Sequence, residues 1–226
     1  MHWVYILRCA GFDDEIELHD RHLDIIYIGE TERLFRRLKE HIAGHYGTAS
    51  GSVTTRKYRP IRLIGLYKIE DVHKFACPPR DIIESDAPDL SLMEKWALIV
   101  ENKITLQYMK AMGRKWKQVF GGRWHRGHPR NNNPSKNYTI DRPYCKCKVP
   151  ADICEYNDKK YWRCSQKNFW DEMANFLKEI GLQRGTTPCD FYQPWKECGT
   201  FNECNIYGDE DTIKLSGQCF ISSDEE

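Results

Sequence analysis

Four side chains near the start of the chain, Tyr5, Tyr27, Arg37 and His41, are of types suited to hydrolysing a phosphate ester. An arginine offers a planar fork of donors that fits phosphate and stays charged at any working pH. A histidine titrates near neutrality and can share in moving a proton. A tyrosine can orient or deprotonate water once a neighbouring cation or metal lowers its pKa from about 10. Such chemistry also wants a carboxylate, because a hard cation such as Mg²⁺ takes oxygen ligands and stabilises the charge that develops on phosphate.

The elements that must carry these groups can be read from periodicity. Trp3-Val4-Tyr5-Ile6-Leu7 and Ile25-Ile26-Tyr27-Ile28 are rich in β-branched and aromatic residues and read as strands. A helix follows, with Leu34, Leu38 and Ile42 as its apolar stripe. Arg37 and His41 are four apart, which sets them together at the rim of that buried face. The carboxylate is expected on a helix from about Leu92 to Met112, capped by Ser91 and patterned by Trp96, Ile99 and Leu106. Glu94 and Glu101 both qualify, but about 10 Å of helix axis separates them, so one metal pocket can use only one.

Trp3-Val4-Tyr5 and Tyr27-Ile28-Gly29, with Arg37 and His41 at their spacing, resemble the paired motifs of the GIY-YIG nuclease family. Thr55 to Ile64 is similar to that family's next loop and third strand, and the resemblance extends over about residues 1–124. It implies an α/β (α+β) fold in which a small mixed or antiparallel three-stranded sheet is flanked by helices. It also implies an endonuclease dependent on Mg²⁺ or Mn²⁺, with Tyr5, Tyr27, Arg37, His41 and Glu101 as catalytic residues and Glu101 as the magnesium ligand. Glu101 is preferred over Glu94 because Glu101 to Met109, followed by Gly121-Gly122-Arg123-Trp124, resembles the metal-binding segment of one branch of the family. Arg33 and Arg56 are the DNA contacts expected in this domain. Two departures stand out: Trp3 replaces the first glycine, and the segment between the tyrosine motifs is long and acidic (Asp13, Asp14, Glu15, Glu17, Asp20, Asp24), read as an extended hairpin.

A second module is expected at residues 143–196, after a basic Asn/Pro/Gly linker at 125–142. Cys145-x-Cys147 can give two thiolates from one turn, and Cys164 and Cys189 each stand at the edge of an aromatic strand. Four thiolates gathered from three places make a closed tetrahedral site for one structural Zn²⁺, with Cys154 as the competing ligand. The block resembles the GRF zinc finger, although Lys148 stands where a glycine often follows and Ser165 to Pro188 is a long insertion, helical over Asp171 to Ile180. The resemblance implies binding to single-stranded, flap or branched DNA. Lys160, Trp162, Lys167 and Trp195 supply the charge and flat faces that such binding uses.

Net charge of +1 hides an asymmetry. Residues 102–142 hold ten Lys or Arg against one acid, and residues 197–226 hold one Lys against eight acids. The basic stretch suits a polyanionic partner, and the acidic tail at 197–226 is expected to be flexible. No apolar run is long enough to span a membrane, so no membrane partner is expected. The ten cysteines fall mostly late in the chain, where metal binding explains them better than disulfides. Cys9 and Cys77 read as buried thiols, and Cys198, Cys204 and Cys219 lack a fourth ligand. The pairing of a nuclease with a GRF finger suggests DNA repair or recombination in a nucleus, a cytoplasm or a viral replication compartment. The competing reading is a non-catalytic DNA-binding adaptor that keeps the fold.

Overall fold

The computed structural model describes residues 1–10, 25–47, 51–76, 90–125, 128 and 132–195. The acidic segment between the tyrosine strands, Cys77, part of the turn-rich stretch after Trp124 and the acidic tail lie outside these residues.

The apolar strands read from the sequence form His2–Ala10 (β1) and Ile25–Thr31 (β2), joined by Arg59–Ile69 (β3). β1 lies in the middle and pairs antiparallel with both neighbours, Tyr5 opposite Gly29 on one side and Leu66 on the other. Two-residue strands extend the sheet in parallel at each edge, Val119–Phe120 (β4) on β2 and Gln183–Arg184 (β7) on β3. The expected three-stranded sheet is therefore the centre of a five-stranded mixed one, in the order β4-β2-β1-β3-β7.

Side chains alternate between the faces of a strand, and β1 separates two cores by that rule. Val4 and Ile6 face Leu92–Met112 (α3), whose Trp96, Val100, Ile104 and Met109 cover them. Tyr5, Leu7 and Cys9 face the other way, towards Leu34 and Leu38 of Leu34–His45 (α1) and Met173 and Leu177 of Asp171–Glu179 (α4). A short helix, Val53–Lys57 (α2), occupies part of the expected loop before β3. Among the described residues, no helix is long and apolar enough to cross a membrane.

Asp152–Tyr156 (β5), Lys159–Arg163 (β6) and Tyr192–Pro194 (β8) form a second, antiparallel sheet in the order β5-β6-β8. Its hairpin turns through Asn157 and Asp158, both at positive φ, as a two-residue type I′ connection requires.

These later residues are not set apart from the first sheet. Cys145, Val149 and Cys164 pack in the core on the α3 side, and Phe169 and Leu182 pack in the other core. The open edge of β3 is sealed by the same segment: the amide of Gly185 donates to Leu63 O at 2.8 Å and Asn168 Nδ2 donates to Leu66 O at 2.6 Å. Gln166 Nε2 donates to Ile64 O between them. A boundary at 142/143 thus falls inside shared cores. The end of the expected linker is docked as well, since Gln107 Nε2 donates to Arg142 O, Lys110 to Tyr138 O, and Lys103 to Asp141. Arg142 itself is buried, its guanidinium over the rings of Tyr67 and Trp162.

Candidate active site

Tyr5 and Tyr27 come from adjacent strands onto the face covered by α1, with ring centroids 6.3 Å apart. Gly29, directly across from Tyr5, is the residue that leaves room for the hydroxyl. A Cβ there would sit 2.5 Å from Tyr5 Oη and 2.7 Å from Cζ, so any side chain would displace the ring. The Trp3 departure also has a physical account. Its ring packs against Trp170 at 5.5 Å, so the later segment absorbs the bulk.

α1 brings His41 to both phenols, at centroid distances of 5.7 and 5.0 Å. Its Nε2 lies 2.6 Å from Tyr5 Oη and its Nδ1 lies 2.7 Å from Thr55 Oγ1. The Thr55 hydroxyl donates to Ser52 O and accepts from Ser52 N, within the capping box that starts α2. That pattern assigns the proton to Nδ1, which donates to Thr55, and leaves Nε2 to accept from the Tyr5 hydroxyl. The sequence placed His41 at a rim and titrating near neutrality; the structure corrects both. The ring is fully buried, and burial, helped by the charge of Arg37, pulls its pKa down to about 3. His41 is a neutral acceptor.

Arg37 stands one turn earlier on α1, half-buried, and donates through a guanidinium NH to Glu40 at 3.0 Å. Burial opposes its charge, but the oxygens of Tyr5, Glu40 and Tyr27 outweigh that and hold it protonated. Both phenols are pushed up, chiefly by burial, and are neutral at rest.

Glu101 reaches the same place from α3 and is 6% exposed. Its Oε1 accepts from Gly122 N at 2.9 Å, while Asn102 Oδ1 accepts from Arg123 N at 3.0 Å. The glycine pair is needed for this docking, since Gly122 has φ +47° and a Cβ there would overlap Asn102 Oδ1. Burial pushes the Glu101 carboxyl up to about 8; the Gly122 amide and Arg37 pull the other way, and Glu30 adds to the rise. Glu94 has a different task. It is the third residue of the α3 capping box, accepting from Ser91 N at 2.7 Å. Ser52, Thr55 and Glu30 were not singled out as site residues from the sequence, although Ser52-x-x-Thr55 ahead of a strand was a readable cap signal.

The other site candidates are dispersed. Arg33 caps α1 and, with Arg36 and Arg37, lines an open pocket of about 620 Å³, while Arg56 is exposed on α2. Lys160 lies over the Phe75 ring at 3.8 Å and near Trp195 at 5.8 Å. Lys167 approaches Tyr192, which stacks on Tyr161 at 4.5 Å. Trp162 does not join them. It is 3% exposed and packed under Arg142, so it offers no face to a base, because alternation turns it inward while Tyr161 faces out.

The Sγ atoms of Cys145, Cys147, Cys164 and Cys189 all lie within 4.8 Å of one another. Cys154 is outside the group, paired across the sheet with Tyr161. Lys148 adopts φ 59°, so this turn does take the left-handed conformation that a glycine would favour, and its amide donates to Cys145 O at 2.9 Å. Sharing a proton with Cys145 pulls the Cys164 thiol down and pushes Cys145 up.

Residues 1–85 match the family model described as the GIY-YIG catalytic domain, a nuclease family whose members hydrolyse phosphodiester bonds and generally use divalent metals. No curated protein and no solved structure matches the chain. The matched segment holds Tyr5, Tyr27, Arg37 and His41 but ends before Glu101, whose place beside them comes from the fold alone.

Proposed function

We propose that this GIY-YIG domain is a Mg²⁺- or Mn²⁺-dependent DNA endonuclease and that residues 143–195 form a zinc-stabilised, GRF-like module that contacts single-stranded, flap or branched DNA during repair or recombination. The observation that carries the reading is the chain of contacts Tyr5–His41–Thr55, set beside Arg37 and Glu101.

Arg37 would bind the scissile phosphate and balance the charge that grows on its oxygens. Tyr5 Oη would take a proton from the attacking water as its own proton passes to His41 Nε2, with Nδ1–H held in place by Thr55. Neither group need ionise beforehand, and because burial disfavours the imidazolium that forms on His41, the transfer would have to coincide with the build-up of negative charge on the phosphate. Tyr27, packed against the imidazole, would position water. Glu101 fits a hard cation, being a buried carboxyl with one oxygen fixed by Gly122 N–H, and it would hold Mg²⁺ or Mn²⁺. Bound there, the cation supplies Lewis-acid stabilisation of the leaving oxygen. The four clustered thiols fit Zn²⁺ by donor type and number. On the C-terminal side, Lys160 with Trp195, and Lys167 beside the Tyr161–Tyr192 stack, set cations next to aromatic rings in the way that contacts to a DNA strand would use.

The test is incubation with labelled duplex, single-stranded, flap and branched DNAs, with and without Mg²⁺ or Mn²⁺. Cleavage is expected only with metal and is expected to vanish in Arg37→Ala and in Glu101→Gln while DNA binding persists. A wild-type chain that binds these DNAs and cuts none would instead be a DNA-binding adaptor.

A further inference from the structure

Next to the catalytic cluster lies a second group of donors suited to a metal. His2 opens β1, its backbone fixed across the sheet from Ile69 and its ring 4% exposed. Its Nε2 lies 3.0 Å from Glu32 Oε1. Its Nδ1 has no hydrogen-bond partner among the described residues and faces Glu30 Oε2 at 3.6 Å, just beyond reach. Glu94 closes the group from α3: one donor atom from each of His2, Glu32 and Glu94 falls within 4.8 Å of the others. The α3 cap engages Glu94 Oε2 through the Ser91 amide.

Two aspects of this arrangement suit a bound cation. Three carboxylates converge on one buried imidazole; of the arginines on the same pocket wall, Arg36 and Arg37 are both paired with Glu40 and Arg33 is the third. Like charges gathered around a desolvated ring repel unless something positive sits among them. The orphaned Nδ1 has the geometry of an outer hydrogen bond as well. A metal-bound imidazole donates its other N–H to a carboxylate, and Glu30 stands in that position.

We propose that His2, Glu32 and Glu94 form a divalent-cation site, separate from the one at Glu101, in which Glu30 accepts the hydrogen bond of the His2 Nδ1–H. One imidazole among carboxylates favours a transition ion such as Mn²⁺ over Mg²⁺.

The experiment uses untagged, zinc-loaded full-length protein and Mn²⁺ as the probe. Pulsed electron paramagnetic resonance reads nitrogen coupling to bound Mn²⁺, and the free-ion signal counts sites. The wild-type chain is expected to show one nitrogen-coupled Mn²⁺ that survives Glu101→Gln and is lost in His2→Gln. Glu32 is largely exposed, so Glu32→Gln leaves the fold intact and should weaken that Mn²⁺ by tenfold or more, at least what losing an outer-shell partner costs. Absence of nitrogen coupling in wild type, its persistence in His2→Gln, or unchanged affinity in Glu32→Gln overturns the assignment. The Glu101 reading stands or falls separately, on whether Glu101→Gln removes a Mn²⁺ that lacks nitrogen coupling.

Discussion

At the scale of single residues, burial keeps Tyr5, Tyr27 and His41 neutral and raises the Glu101 carboxyl, and the proposed chemistry has to work from those states. Tyr5→Phe preserves the ring that fills the space over Gly29 but removes the one proton donor to His41 Nε2. Loss of a positioned proton relay costs about 100-fold or more, so the variant should bind DNA normally and cut it at that reduced rate in single-turnover assays. Glu101 carries its proton up to about pH 8 when no cation is present, and a metal must displace it. Apparent metal affinity should therefore rise about tenfold per pH unit below that value and level off above it, with proton release measurable by calorimetry in buffers of different ionisation heat. The same shift bears on stability. A carboxyl whose folded pKa is raised favours the fold at low pH and opposes it as pH climbs through about 8. Metal-free Glu101→Gln should then melt higher than wild type, by a margin that widens from pH 6 to pH 8. Tyr5, Tyr27 and Arg37 could be singled out because each type at its spacing has a chemical reason, whereas spacing left Glu94 and Glu101 level and a resemblance chose between them. The state of His41 was not legible, because a four-residue spacing says which residues are neighbours on a helix, not how far the helix is rolled into the core.

At the scale of elements, α1, which carries Arg37 and His41, is clamped from outside. Phe35 of α1 meets Trp170 at 5.9 Å and Phe176 of α4 at 4.5 Å, and Trp170 also covers Trp3 of β1. Arg37 and His41 project from the helix held in this way, so Trp170→Ala should act on both stability and rate. A loss of about 3 kcal/mol in denaturant unfolding is expected. The turnover number should fall more than DNA affinity, and a rate equal to wild type below the unfolding transition would refute the clamp. Helices of this kind were readable in advance: the span Leu92–Met112 with its Ser91 cap and the start of the helix at Asp171 follow from apolar period and end signals. β4 and β7 were not, since two residues carry no period and owe their conformation to the strand each one meets.

At the scale of the whole molecule, Cys145 and Cys164 of the thiol cluster belong to the core that also underlies the five-stranded sheet. Sequence reasoning pictured a separable finger because composition changes sharply at the turn-rich stretch; shared burial of Cys145 and Cys164 with Val4 and Tyr67 leaves no trace in composition. Cys164→Ala, or a strong chelator, should accordingly lower the melting temperature of the entire chain in a single calorimetric transition and extinguish cleavage along with it. Two transitions, with the first domain unchanged, would contradict this. The seal on the edge of β3 reaches back across the chain, Gln166 and Asn168 each bonding a carbonyl 102 residues earlier. During synthesis that edge leaves the ribosome long before its cover exists; at about 5 to 20 residues per second, the interval is about 5 to 20 s. Over those seconds a row of unpaired backbone groups is open to any neighbouring strand, including the same segment of another nascent copy on the same message. Crowded polysomes, rather than the finished protein, are where this fold is most exposed to mispairing.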